Sequence, residues 1–91
     1  MLAQVFQLVK EGKAALIDVR EQEEWDEEHI PCAIHLPLSS FSSAALPQEI
    51  PLFIHCRSGK RAQMVEIILK KEHFDVQALV YDFDEIKKIF T

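Results

Sequence analysis

The chain has 91 residues, 48% of them apolar, and its 15 acidic and 10 basic side chains leave a net charge of −5. That length makes one small domain spanning residues 1–91, and an acidic balance excludes general nucleic-acid binding, which needs a basic footprint. No apolar run approaches the roughly 20 residues that cross a bilayer. The N-terminal "MLAQVFQLVKEGK" carries neither a basic leader nor an export cleavage site, and the two cysteines form no disulfide framework. The expectation is a cytoplasmic protein that engages neither membrane nor nucleic acid.

Leu2, Val5, Phe6 and Val9 fall at i, i+3, i+4 and i+7, one apolar stripe on a first helix, and Gly12 suits the position just past its end. "AALIDV" (residues 14–19) is short and mostly apolar, the pattern of a buried strand. "REQEEWDEEH" follows, strongly acidic, a run whose carboxylates stay in solvent while Trp25 tucks against the body. "AIHLP" reads as a second short strand closed by Pro37, and "LSSFSSAA" as a loop or short helix. "PLFIHC" (residues 51–56) is a strand introduced by proline, as strand starts permit. From Lys60 to about Glu72 the pattern is helical, with Ala62, Val65, Ile68 and Leu69 sharing a face. "VQALVY" (residues 76–81) is the last strand. Asp82 then caps a closing helix, with Glu85 as its reciprocal partner and Phe83, Ile86 and Phe90 on the apolar side. Helices between apolar strands imply parallel βαβ units, so the fold class is α/β, with about four to five strands and helices on both faces.

Chemistry concentrates in "IHCRSGKRA". Ligands of parallel α/β sheets bind beyond the carboxyl ends of the strands, and Cys56 stands at such an end with a helix opening a few residues on. Gly59 permits the tight turn that aims backbone N–H groups at one spot. Helix N-termini and neighbouring cations favour thiolate over thiol. Arg57, Lys60 and Arg61 oppose the helix dipole at a cost of a few tenths of a kcal/mol each. Their gathering there points to a bound anion or to the thiolate itself. A plain core cysteine followed by a solvated helix start accounts for the thiol but not for the clustered cations.

These residues resemble the single-domain rhodanese, or sulfurtransferase, family. The resemblance runs from about Leu16 to Ile86 and rests on Asp18-Val19-Arg20 at a strand end, an acidic and aromatic stretch, His29-Ile30-Pro31, and the cysteine loop. It implies a rhodanese-like fold in which Cys56 is the catalytic nucleophile and persulfide carrier. The backbone of Arg57, Ser58, Gly59, Lys60 and Arg61 would form the substrate cradle, and the three cations would supply positive potential. The implied partners are a small anionic sulfur donor such as thiosulfate and an acceptor, either cyanide or a thiol on a small molecule or protein. Covalent ping-pong chemistry of this kind uses no metal or organic cofactor. His29, His35 and His73 are dispersed, without metal-ligand spacing.

The sequence departs from the family pattern in four places. Glu28 and Cys32 stand where glycines are usual, "DFDEIKKIF" replaces a Gly-Gly turn and a later tryptophan, and the strand that commonly precedes the first helix is missing. A non-catalytic rhodanese-like binding or regulatory module is therefore an alternative. A phosphatase of the same fold is a weaker one, because such phosphatases carry one more residue between cysteine and arginine than the four here. His55 should point away from Cys56, since side chains alternate along a strand. Asp18 and Arg20 at a strand end read as a structural polar pair, and the resemblance implies that they brace the neighbouring loop. Cys32 is expected as a small buried filler, or else as a thiol that resolves a Cys56 persulfide.

Overall fold

The computed structural model describes all 91 residues, Met1–Thr91. Four helices and four strands alternate: α1 (Leu2–Lys10), β1 (Ala15–Asp18), α2 (Gln22–Glu27), β2 (Ile34–His35), β3 (Leu52–His55), α3 (Lys60–Lys71), β4 (Val76–Ala78) and α4 (Phe83–Phe90). A single 3-10 turn, Leu38–Ser40, opens the long connection between β2 and β3. The sheet is wholly parallel in the order β2-β1-β3-β4, with Ile17 level with Ile34 on one side and Ile54 on the other. The expected α/β class holds, at four strands. No helix is long and apolar enough to cross a membrane.

The two central strands are buried along their whole length, as strands covered on both faces must be. Their alternation sorts side chains into two cores. Ala15, Ile17, Val19, Leu52, Ile54 and Cys56 pack with Ala62, Val65 and Leu69 of α3. Leu16 and Phe53 face the other way, among Val5 of α1 and Phe83, Ile86 and Phe90 of α4.

Three details differ from the sequence expectation. Ile68 is 38% exposed, because α3 lies over β3 and the edge strand β4 and only the narrow 62–65–69 stripe is covered. The last strand ends at Ala78 and leaves Val80 in solvent. Asp82 caps α4 by accepting from the Asp84 N–H, and Glu85 stays exposed instead of closing a capping box. The box forms at α2, where the Glu21 side chain accepts from the Glu24 N–H and the Glu24 carboxylate accepts from the Glu21 N–H.

Candidate active site

β3 ends at His55 and α3 begins at Lys60, so residues 56–59 make the turn at the carboxyl edge of the sheet. Cys56 is 1% exposed. Its Sγ accepts a hydrogen bond from the Gly59 N–H at 3.1 Å. Gly59 is the N-cap of α3 and adopts φ +103°, a conformation that side chains disfavour. A Cβ there would also stand 2.9 Å from Val80 Cα and Cγ1. Glycine is thus required twice, for the turn and for the close approach of the chain after β4. The N–H groups of Arg57, Ser58, Lys60 and Arg61 donate to no acceptor within the protein. With the Gly59 amide they make a run of backbone donors in the turn that follows Cys56, of which the Gly59 N–H reaches the sulfur.

The three cations are arranged less simply than their spacing suggests. Arg61 turns back to α2 and holds Glu24 in a two-pronged ion pair, 2.5 Å and 3.0 Å between nitrogen and oxygen. This pair pushes Glu24 down to about 2 and Arg61 up. Arg57 is exposed and faces Asp84 of α4 at 3.6 Å. Lys60 is exposed with no carboxylate within 4 Å, and Ser58 is exposed beside it. An open depression of about 500 Å³ lies against the loop, lined by Arg20, Glu24, Glu27, Glu28, Arg57 and Asp84.

Beneath the loop, on the opposite face of the sheet, lies a buried polar cluster. Asp18 and Arg20 pair through Nε and Nη2 at 2.9–3.1 Å, and Arg20 Nη2 also donates to the Glu28 carbonyl at 2.8 Å. The guanidinium stands 4.0 Å from the centroid of the Phe83 ring. Arg20 therefore ties β1 to the end of α2 and to α4, the bracing role expected of it. His55 is buried on this face, stacked on Phe83 and 3.8 Å from Asp18 Oδ2, with neither ring nitrogen hydrogen-bonded. Burial pushes it down to about 4. It points away from Cys56, as alternation requires.

Cys32 corrects an expectation. It is exposed, in the turn before β2, where Ile30 is the buried residue of the segment. Partial burial pushes its thiol up. Cys32 precedes Ile34 by two residues and Cys56 follows Ile54 by two, on strands whose isoleucines are level. The thiols thus lie toward opposite ends of the sheet. A disulfide between them requires the chain to rearrange.

Trp25, expected to tuck against the body, is stacked between His29 and His35 at ring-centroid distances of 3.7 and 4.4 Å. Three rim groups went unread in the sequence: Glu24, Asp84, and Lys87, whose ammonium holds Glu28 and keeps that carboxyl low. The only advance signal was that Glu28 and the 82–85 stretch break the family pattern.

Comparison with known proteins identifies the family. The family model for the rhodanese-like domain matches residues 1–89. The chain belongs to the rhodanese-like domain family. Thiosulfate sulfurtransferase GlpE of Coxiella burnetii (strain RSA 331 / Henzerling II) is 31% identical over 87 residues, 92% of this rhodanese-like domain and 81% of GlpE. A putative sulfur carrier protein of Bacillus subtilis (strain 168), YrkF, is 38% identical over 61 residues, and the match spans only 33% of its length. Among solved structures, reduced Bacillus anthracis CoADR-RHD superposes with a TM-score of 0.83 at 23% identity, over 97% of this chain and 16% of that one. The Saccharomyces cerevisiae single-domain sulfurtransferase RDL2 gives 0.74 at 24%, over 93% and 84%. At those identities the superpositions establish the fold alone. The chain is a rhodanese-like domain with a thiosulfate sulfurtransferase, GlpE, among its relatives.

Proposed function

We propose that this rhodanese-like domain is a sulfurtransferase whose Cys56 carries sulfane sulfur as a persulfide, in the reducing environment of the cytoplasm. The observation that supports it most is the loop itself: one sulfur held by the Gly59 N–H at a helix start, with four further amides unpartnered around it. In the first half-reaction the Cys56 thiolate attacks the outer sulfur of thiosulfate, the S–S bond breaks, and sulfite leaves with the bonding pair. The persulfide anion is held by the same amides that held the thiolate. In the second, cyanide or an acceptor thiolate attacks the outer sulfur, and Cys56 returns as thiolate. Charge is conserved at each step, and no group beyond the chain and its two substrates takes part. Arg57, Lys60 and Arg61 add positive potential, of which Lys60 is the one free of an ion pair.

Intact mass measured after mixing with thiosulfate tests the reading. The protein should gain one sulfur atom, lost again on adding cyanide or a thiol. Cys56→Ser should abolish the gain and Cys32→Ser should keep it. Sulfur retained by Cys56→Ser overturns the assignment.

A further inference from the structure

Charge at the mouth of the loop does not follow from the loop's own cations. Of the surface cavities, only one touches the Cys56–Arg61 segment, through Arg57, the residue next to the buried Cys56. It presents four carboxylates and two guanidiniums. Arg20 is committed to Asp18 in a buried pair, Glu24 is held by Arg61, and Glu28 is held by Lys87. Arg57 is therefore the one cation lining this mouth that an incoming anion can engage without opening a buried pair. Asp84, in the first turn of α4, already faces it at 3.6 Å. The Arg57 carbonyl is fixed too, accepting from the Phe83 N–H at 2.9 Å, so α4 holds both ends of this residue.

We propose that Asp84 is a specificity-determining residue, competing for Arg57 with anionic donors and biasing the site toward persulfides whose carbon body is positively charged. The inference rests on Cys56 being the sulfur carrier. The favoured donor class is an alkylammonium persulfide, R–S–SH with R bearing an ammonium. The Cys56 thiolate attacks its outer sulfur, the S–S bond breaks, and the leaving R–S⁻ takes the persulfide proton as the outer sulfur becomes Cys56–S–S⁻. The ammonium can pair with Asp84 and meets the unpaired Glu27, whereas thiosulfate, a dianion, must displace Asp84 from Arg57. Both Arg57 and Asp84 are more than half exposed, so the bias is a matter of a few-fold and is weakened by salt.

Asp84→Asn, made in a Cys32→Ser background, tests this with three donors: thiosulfate, the persulfide of 2-aminoethanethiol and that of 2-mercaptoethanol. KM for thiosulfate should fall about two- to fivefold and KM for the aminoethyl persulfide should rise comparably, with kcat and the neutral donor little changed. In Arg57→Gln the same Asp84 substitution should no longer favour thiosulfate, because the competed group is gone. A readout without turnover runs alongside: the rates at which aminoethyl and sulfonatoethyl methanethiosulfonates label Cys56. Asp84→Asn should shift their ratio toward the anionic reagent. Equal changes for all three donors, or none, with labelling unaltered, overturn the role of Asp84 and leave sulfur transfer standing. Failure of every donor to place sulfur on Cys56, with a shifted labelling ratio, overturns sulfur transfer and keeps the charge bias.

Discussion

β3 shows two different faces to the molecule. On the α3 side, Leu52, Ile54 and Cys56 run into a core of aliphatic side chains, and the chemistry is left to the main chain: one sulfur, one glycine turn, a set of free amides. On the α4 side, Phe53 and His55 meet a charged pair, an unpartnered imidazole and an aromatic ring. The proposed sulfur carrier thus sits on the chemically plain face, and a buried imidazole and ion pair sit behind it. Backbone donors favour an anion without titrating themselves, whereas the rear face carries a buried imidazole that responds to pH.

The largest difference between the faces should be in stability. Arg20→Met leaves the Asp18 carboxylate buried without its partner and should cost about 3–5 kcal/mol. That is a large part of the total stability of a domain this size. Urea unfolding should show it, and adding Asp18→Asn should return much of the loss because the stranded charge is removed. A double variant no more stable than Arg20→Met would mean that the bracing of α2, not the charge, is what the arginine contributes.

Next in size is a pH effect that belongs to the rear face alone. Unfolded, His55 takes a proton near its ordinary 6.5, whereas folded it waits until about 4. Between those values the unfolded chain binds more protons, so stability should fall as pH drops from about 6.5 to 4 and level off below. The full effect is on the order of 3 kcal/mol. Glu24, which ionises at about 2 when folded, adds its own loss only below pH 4.5. His55→Leu should flatten the upper part of the profile and should lose no hydrogen bond, since neither ring nitrogen makes one. An unchanged profile between pH 6.5 and 4.5 would place the sensitivity elsewhere.

The smallest stability effect should come from the reactive face, with the largest functional one. Gly59→Ala forces a side chain into φ +103° and against Val80, and should cost about 1–3 kcal/mol. The protein should remain folded by circular dichroism and lose sulfur loading, because the Gly59 N–H no longer reaches Cys56. Full loading in a folded Gly59→Ala protein would show that this amide is dispensable.

Sequence pattern exposed the parts of this molecule governed by local periodicity. Alternation along residues 51–56 separates Cys56 from His55, and the 62–65–69 and 83–86–90 spacings pick out the buried faces of α3 and α4. The glycine turn was legible because few residues tolerate its geometry. What escaped reading depends on topology. Arg61 meets Glu24 across 37 residues, and Arg57 meets Asp84 only because α4 returns to the carboxyl edge of the sheet. The acidic run before Ile30 looked like a solvated face, yet one of its carboxylates locks the first turn of α3. Cys32 looked like filler because small residues usually are, and its exposure follows from Ile30 taking the buried place in that turn.

The chain holds a single tryptophan, and the fold has put it where it can be watched. Trp25 lies between two imidazole rings on the short helix that also carries Glu24, the residue gripping Arg61 at the start of α3. Its indole is shielded only while that helix stays docked. Emission from this one fluorophore should redden as α2 lifts and water reaches the ring, even with the sheet intact. Light from Trp25 is therefore an optical gauge of the helix that grips the Cys56 loop through Arg61, built into the chain without any label.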